Sequence, residues 1–308
     1  MAAHGAPREL VELDVSSPVL VAERTPRRRS WLVRDLPAVL AVVVILVVTG
    51  MAVFAEQLAP YDPLAQDLRA RLQPPFWVEG GSLEHALGTD RLGRDMLSRV
   101  MFGAQITLFI GLMAVLVGGT IGVSAGILAG YLGGIVDLVL GRLADIQQAI
   151  PFVVLTLAVV AALGASLGNL IIVLGVGSWL FYYRVVRGEV LAVRERLFIE
   201  ASEVIGAPRW RIVLRHILPN VSASIIVVVT LFVPLVIVFA AGLSFLGLGV
   251  PPPTPEWGSM IAEGTQYLRD AWWLSLVPGA LLVLIVLAVN MLGDWLRDYL
   301  DPVQRRRM

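Results

Sequence analysis

The chain alternates between long apolar runs and shorter segments that carry most of its charged residues. A helix that crosses a bilayer needs about 20 mainly apolar residues, and six runs are long enough. The pattern therefore predicts an all-α, polytopic membrane protein with six transmembrane helices and both termini on one side. The predicted spans are residues 37–56, 102–128, 138–163, 169–187, 221–243 and 273–293.

The distribution of arginine predicts which side the termini occupy. All 24 basic residues counted as Lys and Arg are Arg. Of these, 18 lie in the segments that share the side of the termini, and six lie in the segments on the opposite side. Cytoplasmic loops of membrane proteins are enriched in basic residues, so both termini are predicted to be cytoplasmic.

This topology divides the chain into regions. The first span follows 36 polar or mixed residues and no small-residue cleavage site follows it, so it is predicted to be a retained anchor and not a signal peptide. The basic stretch at 24–30 is interpreted as a topology determinant, with a contact to anionic lipid as the alternative. The regions are a cytoplasmic tail (1–36), an N-terminal transmembrane anchor (37–56), an extracytoplasmic segment (57–101), a five-helix core (102–293) that contains a cytoplasmic loop (194–220), and a cytoplasmic tail (294–308).

The composition excludes several kinds of chemistry. Because the chain has no Lys, it has no Gly-x-x-x-x-Gly-Lys phosphate loop and cannot itself hold a standard ATPase site. Because it has no Cys, it has no thiolate nucleophile and no Cys-ligated metal. The three His residues, His4, His85 and His216, are far apart in the sequence. We therefore predict no catalytic residue and no bound metal.

Glycines in the second predicted span recur every fourth residue and therefore share one helix face. Such a face lets another helix backbone approach closely. The sequence leaves open whether that helix is a neighbouring span or belongs to another subunit. The predicted helix-packing residues are Gly118, Gly122, Gly126 and Gly130.

Two prolines and two charged residues are unusual within the predicted spans. Pro151 and Pro234 remove backbone hydrogen bonds and predict local kinks. Arg142 and Asp145 lie three residues apart near the cytoplasmic end of the third span. They are interpreted as an ion pair, with a place along a transmembrane pathway as the alternative.

The cytoplasmic loop at 194–220 has the pattern of two short helices. Gly206 suits the left-handed position that follows a helix, and Pro208 suits the first turn of the next one. The two arms are predicted to meet at a sharp elbow. Four apolar residues of the first arm fall on one helical stripe, namely Leu197, Ala201, Val204 and Ile205.

Two kinds of partner would suit this elbow. It could lie on the membrane surface, with Arg209, Arg211 and Arg215 on anionic lipid, or it could enter a socket on another protein. Anionic lipid would repel Glu200 and Glu203, and a surface helix does not require a tight turn. The residues therefore favour a protein socket.

The stretch EASEVIGAPRWRIVLRHILPN, residues 200–220, resembles the EAA loop of ABC-importer permeases. In that pattern Glu-Ala-Ala is followed after three residues by Gly, and then by Ile-x-Leu-Pro. Here Ser202 replaces the second Ala, and Ile217 is about one residue out of register. The resemblance implies that ATPase subunits drive this loop, through Glu200, Ala201, Ser202, Gly206, Ala207, Pro208, Arg215 and Pro219.

Two other stretches resemble the C-type permease subunits of the dipeptide and oligopeptide subfamily. They are HALGTDRLGRDMLSRVMFGAQITL (85–108) and LSFLGLGVPPPTPEWGSMI (243–261). With the N-terminal anchor, the resemblance covers about residues 30–300. It implies a type I ABC importer (MetI-like) permease core in a bacterial inner membrane, importing peptides, with nickel chelates or glutathione as alternative substrates.

The resemblance also implies an assembly. This chain would pair with a second, homologous permease as a heterodimer in the bilayer and receive substrate from an extracytoplasmic binding protein. Two cytoplasmic ABC ATPases would hold ATP and magnesium, while this chain binds no cofactor and no nucleic acid.

The outer stretches also have a physical interpretation. Thr89 or Asp90 is suited to cap the helix that leads into the second span, with a metal cluster of His85, Asp90 and Asp95 as the alternative. The Pro-rich run at 249–258 predicts a rigid outer loop, which either contacts the binding protein or forms a structural lid. The candidate contact residues are Pro252, Pro253, Pro255, Trp257 and Gly258.

Two functions of other classes remain open from the residues alone. A secondary transporter or channel usually has internal repeats or intramembrane acids placed for ion coupling, and the sequence displays neither. A membrane scaffold could use the same elbow to dock a soluble partner, and only the family resemblance argues against it.

Overall fold

The computed structural model describes residues 31–300. The remaining residues, with His4 and the basic stretch at 24–30, lie outside the described part of the chain. The described residues are helical, apart from loops and one isolated β-bridge between Thr89 and Asp95. The α-helices are α1 (Trp31–Val53), α2 (Ala55–Leu58), α3 (Met96–Leu132), α4 (Gly134–Ala149), α5 (Phe152–Leu163), α6 (Leu167–Arg194), α7 (Leu197–Val204), α8 (Arg209–Ile212), α9 (Leu218–Phe245), α10 (Trp257–Thr265) and α11 (Trp273–Leu300).

Five helices in the described residues are long and apolar enough to cross a bilayer, and α4 with α5 makes a sixth crossing if the bent pair is one span. The predicted helical fold with an N-terminal span is therefore confirmed. One boundary differs, because α8 and α9 are joined by a π-helical turn (Val213–Ile217) into one helix, Arg209–Phe245, of 37 residues. The second arm of the elbow is thus the N-terminal end of a span and not a separate short helix.

The predicted third span, 138–163, is not one continuous helix. Its two halves, α4 and α5, are bent by 87°. Pro151 has no N–H and disfavours a helical conformation in the residue before it, and Ile150 is extended, with φ −99° and ψ 123°. The kink expected at Pro151 is therefore a complete break, whereas α9 continues through Pro234.

Polar contacts hold α4 against α6. Arg187 of α6 pairs with Asp137 through two contacts, one of them 2.7 Å between Nη2 and Oδ2. Gln147 donates to the carbonyl of Gly177 at 2.7 Å and accepts a hydrogen bond from the indole of Trp179 at 2.5 Å. The polar side chains of α4 thus bind to α6 near both ends of α4.

The ion pair expected between Arg142 and Asp145 is not formed within the described residues. Asp145 instead lies 3.8 Å from Arg184 of α6. The prediction rested on spacing along one helix and did not consider the neighbouring helix. Arg184 of that helix lies closer to Asp145 than Arg142 does.

The glycine face of α3 packs against α6. A Cβ added at Gly122 would lie 2.3 Å from the carbonyl oxygen of Trp179. Similar close approaches to α6 occur at Gly118, Gly126 and Gly130. The helix that approaches these glycines is therefore a neighbouring span of the same chain.

The N-terminal end of α3 is capped by Asp95. Its Oδ2 accepts a hydrogen bond from the N–H of Ser98 at 2.8 Å. The predicted caps, Thr89 and Asp90, are wrong because the helix begins later, at Met96. The residues between Asp90 and Asp95 form a turn that places both carboxylates in the protein interior.

Candidate functional site

The two arms of the elbow meet at Gly206, whose φ is +78°. Side chains disfavour this left-handed conformation, and Gly does not. The N–H of Gly206 donates a hydrogen bond to the carbonyl of Glu203 at 2.9 Å. The N–H of Ala207 donates to the carbonyl of Ser202 at 3.1 Å. These two bonds form the Schellman motif that closes a helix. Pro208 then precedes α8 as its N-cap residue.

The inner side of the elbow is anchored to the spans by a buried apolar cluster. Ile199, Ile212 and Ile217 are at most 1% exposed. Their neighbours come from the C-terminal ends of α3 and α6 and the N-terminal end of α9, so the elbow and three spans form one packed unit. The buried members are Tyr131, Val186, Val190, Val193, Ile199, Ile212, Ile217 and Val221.

The outer side of the elbow is apolar and exposed. Leu197, Val204 and Ile205 are 81–83% exposed, and Trp210 and Leu214 are 62% and 57% exposed. These five residues are called the elbow surface below. Because exposed apolar patches mark sites of contact with another protein or with a membrane, the elbow surface is a candidate docking surface.

The helical stripe read from the sequence is therefore not the face that packs on this chain. Leu197, Val204 and Ile205 point away from it, and Ile199 and Ser202 form the buried face of α7. The periodicity located an apolar face correctly, but it could not distinguish packing within the chain from exposure to a partner.

The eight predicted coupling residues occupy three environments. Ser202 is buried, and its hydroxyl donates to the carbonyl of Phe198 at 2.7 Å. Ala207 is half-buried. The other six are exposed on or beside the elbow: Glu200, Ala201, Gly206, Pro208, Arg215 and Pro219.

One contact at the elbow was missed in the sequence. The hydroxyl of Tyr131, at the end of α3, donates to Oε1 of Glu203 on α7 at 3.3 Å. It ties the first arm of the elbow to the second span directly. The two residues are 72 positions apart, so no local pattern could have paired them.

The Pro-rich outer loop is only partly accessible. Pro252 and Pro253 are exposed, whereas Pro255, Trp257 and Gly258 are buried. The last three therefore do not form a contact surface for a binding protein. The remaining candidate surface is the exposed tip of the loop.

Buried contacts hold the segment after this tip. The indole of Trp257 donates to the carbonyl of Val100 at 3.0 Å. Trp257 is 0% exposed, so its side chain lies entirely in the protein interior. A Cβ at Gly258 would lie 2.5 Å from the carbonyl oxygen of Ala241. α10 is thereby fixed against both α3 and α9.

A buried carboxylate caps α10. Glu256 accepts hydrogen bonds from the N–H groups of Gly258 and Ser259, both at 2.9 Å, and from the hydroxyl of Thr107 at 3.3 Å. Burial raises the pKa of Glu256, and the backbone donors oppose that effect. The contact to Thr107 adds a second anchor between α10 and α3.

A buried charge cluster joins the turn before α3 and the first turn of α3 to α10. Asp90 accepts from Nε of Arg94 at 2.6 Å and also pairs with Arg99. Both guanidinium groups reach Glu263 of α10, at 3.4 and 3.3 Å. The balanced charges and the burial indicate a structural connection between α10 and the N-terminal end of α3.

His85 and Asp95 form a separate pair, with Nδ1 3.0 Å from Oδ1. Asp90 is paired with Arg94 and Arg99 instead. His85, Asp90 and Asp95 therefore do not form one cluster. Within residues 31–300, no group of three or more His, Asp or Glu side chains is arranged to hold a metal ion.

Comparison with protein families gives two matches. The model for the binding-protein-dependent transport system inner membrane component matches residues 122–306. The model for the N-terminal transmembrane domain of oligopeptide transport permease C matches residues 25–75. Together they cover the N-terminal span, most of the core and the elbow.

Curated relatives are similar along nearly the whole chain. The dipeptide transport system permease protein DppC of Escherichia coli (strain K12) is 44% identical over 290 residues, which is 94% of this chain and 96% of the relative. The di/tripeptide transport system permease protein DppC of Pseudomonas aeruginosa (strain UCBPP-PA14) is 42% identical, over 83% of this chain and 85% of the relative.

Solved structures are similar in fold. Two chains from inward-facing forms of the MetNI methionine ABC transporter match with TM-scores of 0.53 and 0.54, at 23% and 22% identity. Each match covers 67% of this chain and 98% of the other. This similarity shows the fold alone. The family match over residues 122–306 and the curated relatives show that the chain belongs to the binding-protein-dependent transport system inner membrane components and is a permease subunit of an ABC importer.

Proposed function

We propose that this chain forms one half of a peptide translocation pathway and is moved by separate ATPase subunits through its elbow. The elbow surface carries this proposal. It exposes large apolar side chains on a turn whose inner side is packed against α3, α6 and α9. A force applied there would be passed to three spans at once. The names of the curated relatives support di- or oligopeptides as the substrate.

The energy source is proposed to lie on other chains. This chain has no Lys, which a standard phosphate loop requires. ATP and magnesium are therefore assigned to two cytoplasmic ATPase subunits, and this chain is proposed to have no enzymatic activity and no cofactor of its own.

The other subunits are proposed by analogy with the dipeptide and oligopeptide permease subfamily. A second, homologous permease is proposed to complete the pathway as a heterodimer, and a binding protein is proposed to deliver substrate at the outer face. The excess of Arg in segments on the side of the termini supports an orientation with both termini in the cytoplasm. That orientation places the elbow on the side where ATP is available.

The proposed motion begins when the ATPase pair closes on ATP. The ATPases push on the elbow surface, and the buried cluster around Ile199, Ile212 and Ile217 passes the displacement to α6 and α9. The contact between Tyr131 and Glu203 passes it to α3. Rigid transfer is expected because closely packed interiors transmit strain.

Uptake by the complete complex tests this function. The permease pair, the ATPases and a peptide-loaded binding protein are reconstituted in proteoliposomes, and accumulation of a labelled dipeptide is measured with and without ATP. We expect accumulation only with ATP and the binding protein, and competition by unlabelled dipeptide but not by nickel chelates or glutathione. Uptake by this chain without ATPases would instead identify a secondary transporter. Absence of dipeptide uptake would contradict the proposal that the substrate is a peptide.

A further inference from the structure

The break between α4 and α5 is held against α6 from both sides. Before the break, the side-chain amide of Gln147 donates to the carbonyl of Gly177 at 2.7 Å. After the break, the ring of Phe152 packs so closely on the same residue that it leaves no room for a Cβ on Gly177. These two contacts place the break beside Gly177, ten residues after Leu167, the first residue of α6.

Gly177 lies at the depth of the hydrocarbon wherever α6 crosses the bilayer. The 28 residues of α6 are long and apolar enough to span it, and they measure about 42 Å at a rise of about 1.5 Å per residue. Because the hydrocarbon core is about 30 Å thick, at most about 12 Å of α6 extends beyond it at either end. Gly177 is about 15 Å from the first residue of α6 and further from the last. The break beside it therefore lies within the hydrocarbon layer.

The backbone at this break is left incompletely covered by the described part of the chain. The first N–H groups of an α-helix have no partner in that helix, and no side chain within residues 31–300 caps α5 at Pro151. Ile150 is 42% exposed, and Pro151 is also exposed. Lipid tails cannot accept hydrogen bonds, so non-helical backbone at this depth occurs only where protein buries it or where it lines a water-filled cavity.

The side chains around the break favour protein over water. Ile146, Val153 and Val154 are 44–63% exposed, so the uncovered face is apolar on both sides of the break. Contact between such side chains and water is unfavourable. The nearby polar groups of Asp145 and Gln148 are in contact with Arg184 of α6. The apolar side chains thus exclude water and the broken backbone excludes lipid, which leaves another polypeptide.

We propose that the second permease covers this break with a helix packed along α4 and α5, an inference that rests on the proposed heterodimer. Of the proposed subunits, the second permease is the one embedded in the bilayer, whereas the ATPases and the binding protein act outside it. We expect a side chain or carbonyl of that helix to accept hydrogen bonds from the first N–H groups of α5. The exposed apolar residues of this face are called the break surface: Ile146, Ile150, Val153, Val154 and Leu157.

Photocrosslinking from the break surface tests this proposal. The photoreactive amino acid p-benzoylphenylalanine replaces Val154 in the complete complex in proteoliposomes, and the adducts are identified by mass spectrometry. We expect an adduct between position 154 and the second permease, because Val154 is 53% exposed and lies on the face that the second permease covers.

Leu46 of α1 is the matched control, because it is apolar and 65% exposed. It belongs to the N-terminal span and not to the five-helix core. We expect lipid adducts from position 46, and a yield of the adduct with the second permease severalfold lower than from position 154.

Leu157 provides a second position on the break surface, one turn further along α5 and 37% exposed. The probe is bulky, and overpacking disrupts a close-packed interface. Loss of the second permease from the purified complex with the probe at 154 and 157, but not with the probe at 46, would therefore also support the proposal.

Three results in an assembled, active complex would overturn the proposal. Adducts from 154 and 157 with lipid alone would mean that this face borders the bilayer, and adducts with another copy of this chain alone would mean a homo-oligomer. No adduct from either position would mean a water-filled cavity. ATP-dependent dipeptide uptake is measured on the same preparations. Failure of the wild-type complex to transport any dipeptide would contradict the proposed function instead, so the two failures are distinguishable.

Discussion

Single glycines determine how closely the helices of this permease approach each other. At Gly122 the backbone of α6 is so near that a Cβ would lie 2.3 Å from a carbonyl oxygen, whereas a Cβ at Gly119, three residues earlier on α3, would meet nothing within 4 Å. The two positions therefore separate a packing requirement from the general effect of Ala in a helix.

Gly122→Ala is predicted to destabilise the protein. Overpacking typically costs about 1–3 kcal/mol, which exceeds the gain of up to ~1 kcal/mol from the higher helix propensity of Ala. Thermal unfolding in detergent should show a lower midpoint for Gly122→Ala and an unchanged or higher midpoint for Gly119→Ala. Equal midpoints for the two variants would mean that α3 and α6 are not in close contact.

For single residues, the sequence predicted the roles that depend only on the local backbone. The glycines that recur every fourth residue and the left-handed Gly206 can both be recognised in a short window of sequence. The cap at Asp95, the buried Trp257 and the bond from Tyr131 to Glu203 were not predicted. Each depends on where a distant segment lies in space, which spacing along the chain does not encode.

At the scale of elements, the elbow is predicted to work as a rigid connection, and Gly206→Pro tests its rigidity. Proline cannot adopt φ +78° and has no N–H for the bond to Glu203. We expect dipeptide uptake per ATP hydrolysed to fall to about a tenth, the effect of ~1.4 kcal/mol of lost coupling.

Gly247→Pro is the matched control for this variant. Gly247 has φ +80°, and its N–H bonds to the carbonyl of Ser244 at 3.0 Å, so the local damage is the same at the outer end of α9. We expect similar losses of thermal stability in the two variants but a loss of coupling only in Gly206→Pro. Equal coupling in both would contradict the role of the elbow.

Element boundaries were predicted only in part. The apolar runs located the spans, because burial in lipid requires a minimum length of apolar sequence. The break at Pro151 was underestimated, and the continuity of α8 with α9 was missed. Proline weakens a helix wherever it occurs, but neighbouring contacts decide whether the chain bends sharply, as at Pro151, or continues, as at Pro234.

For the whole molecule, the end that carries α10 and the end that carries the elbow are built differently. The end that carries α10 is closed by buried contacts, in which Asp90, Arg94 and Arg99 join Glu263. The elbow, at the other end, instead exposes its apolar residues. This asymmetry fits the proposed role of the elbow as the surface on which separate ATPase subunits act.

The central claim is that ATPase subunits act on this chain through the elbow surface. A photoreactive benzophenone maleimide attached to Val204→Cys, the single thiol in an otherwise Cys-free complex, tests the claim most directly. We predict a crosslink from position 204 to an ATPase subunit, and none from the matched variant Leu287→Cys, which places the probe on an exposed apolar residue of α11. A complex that is active in uptake but gives no ATPase adduct from position 204 would contradict the account.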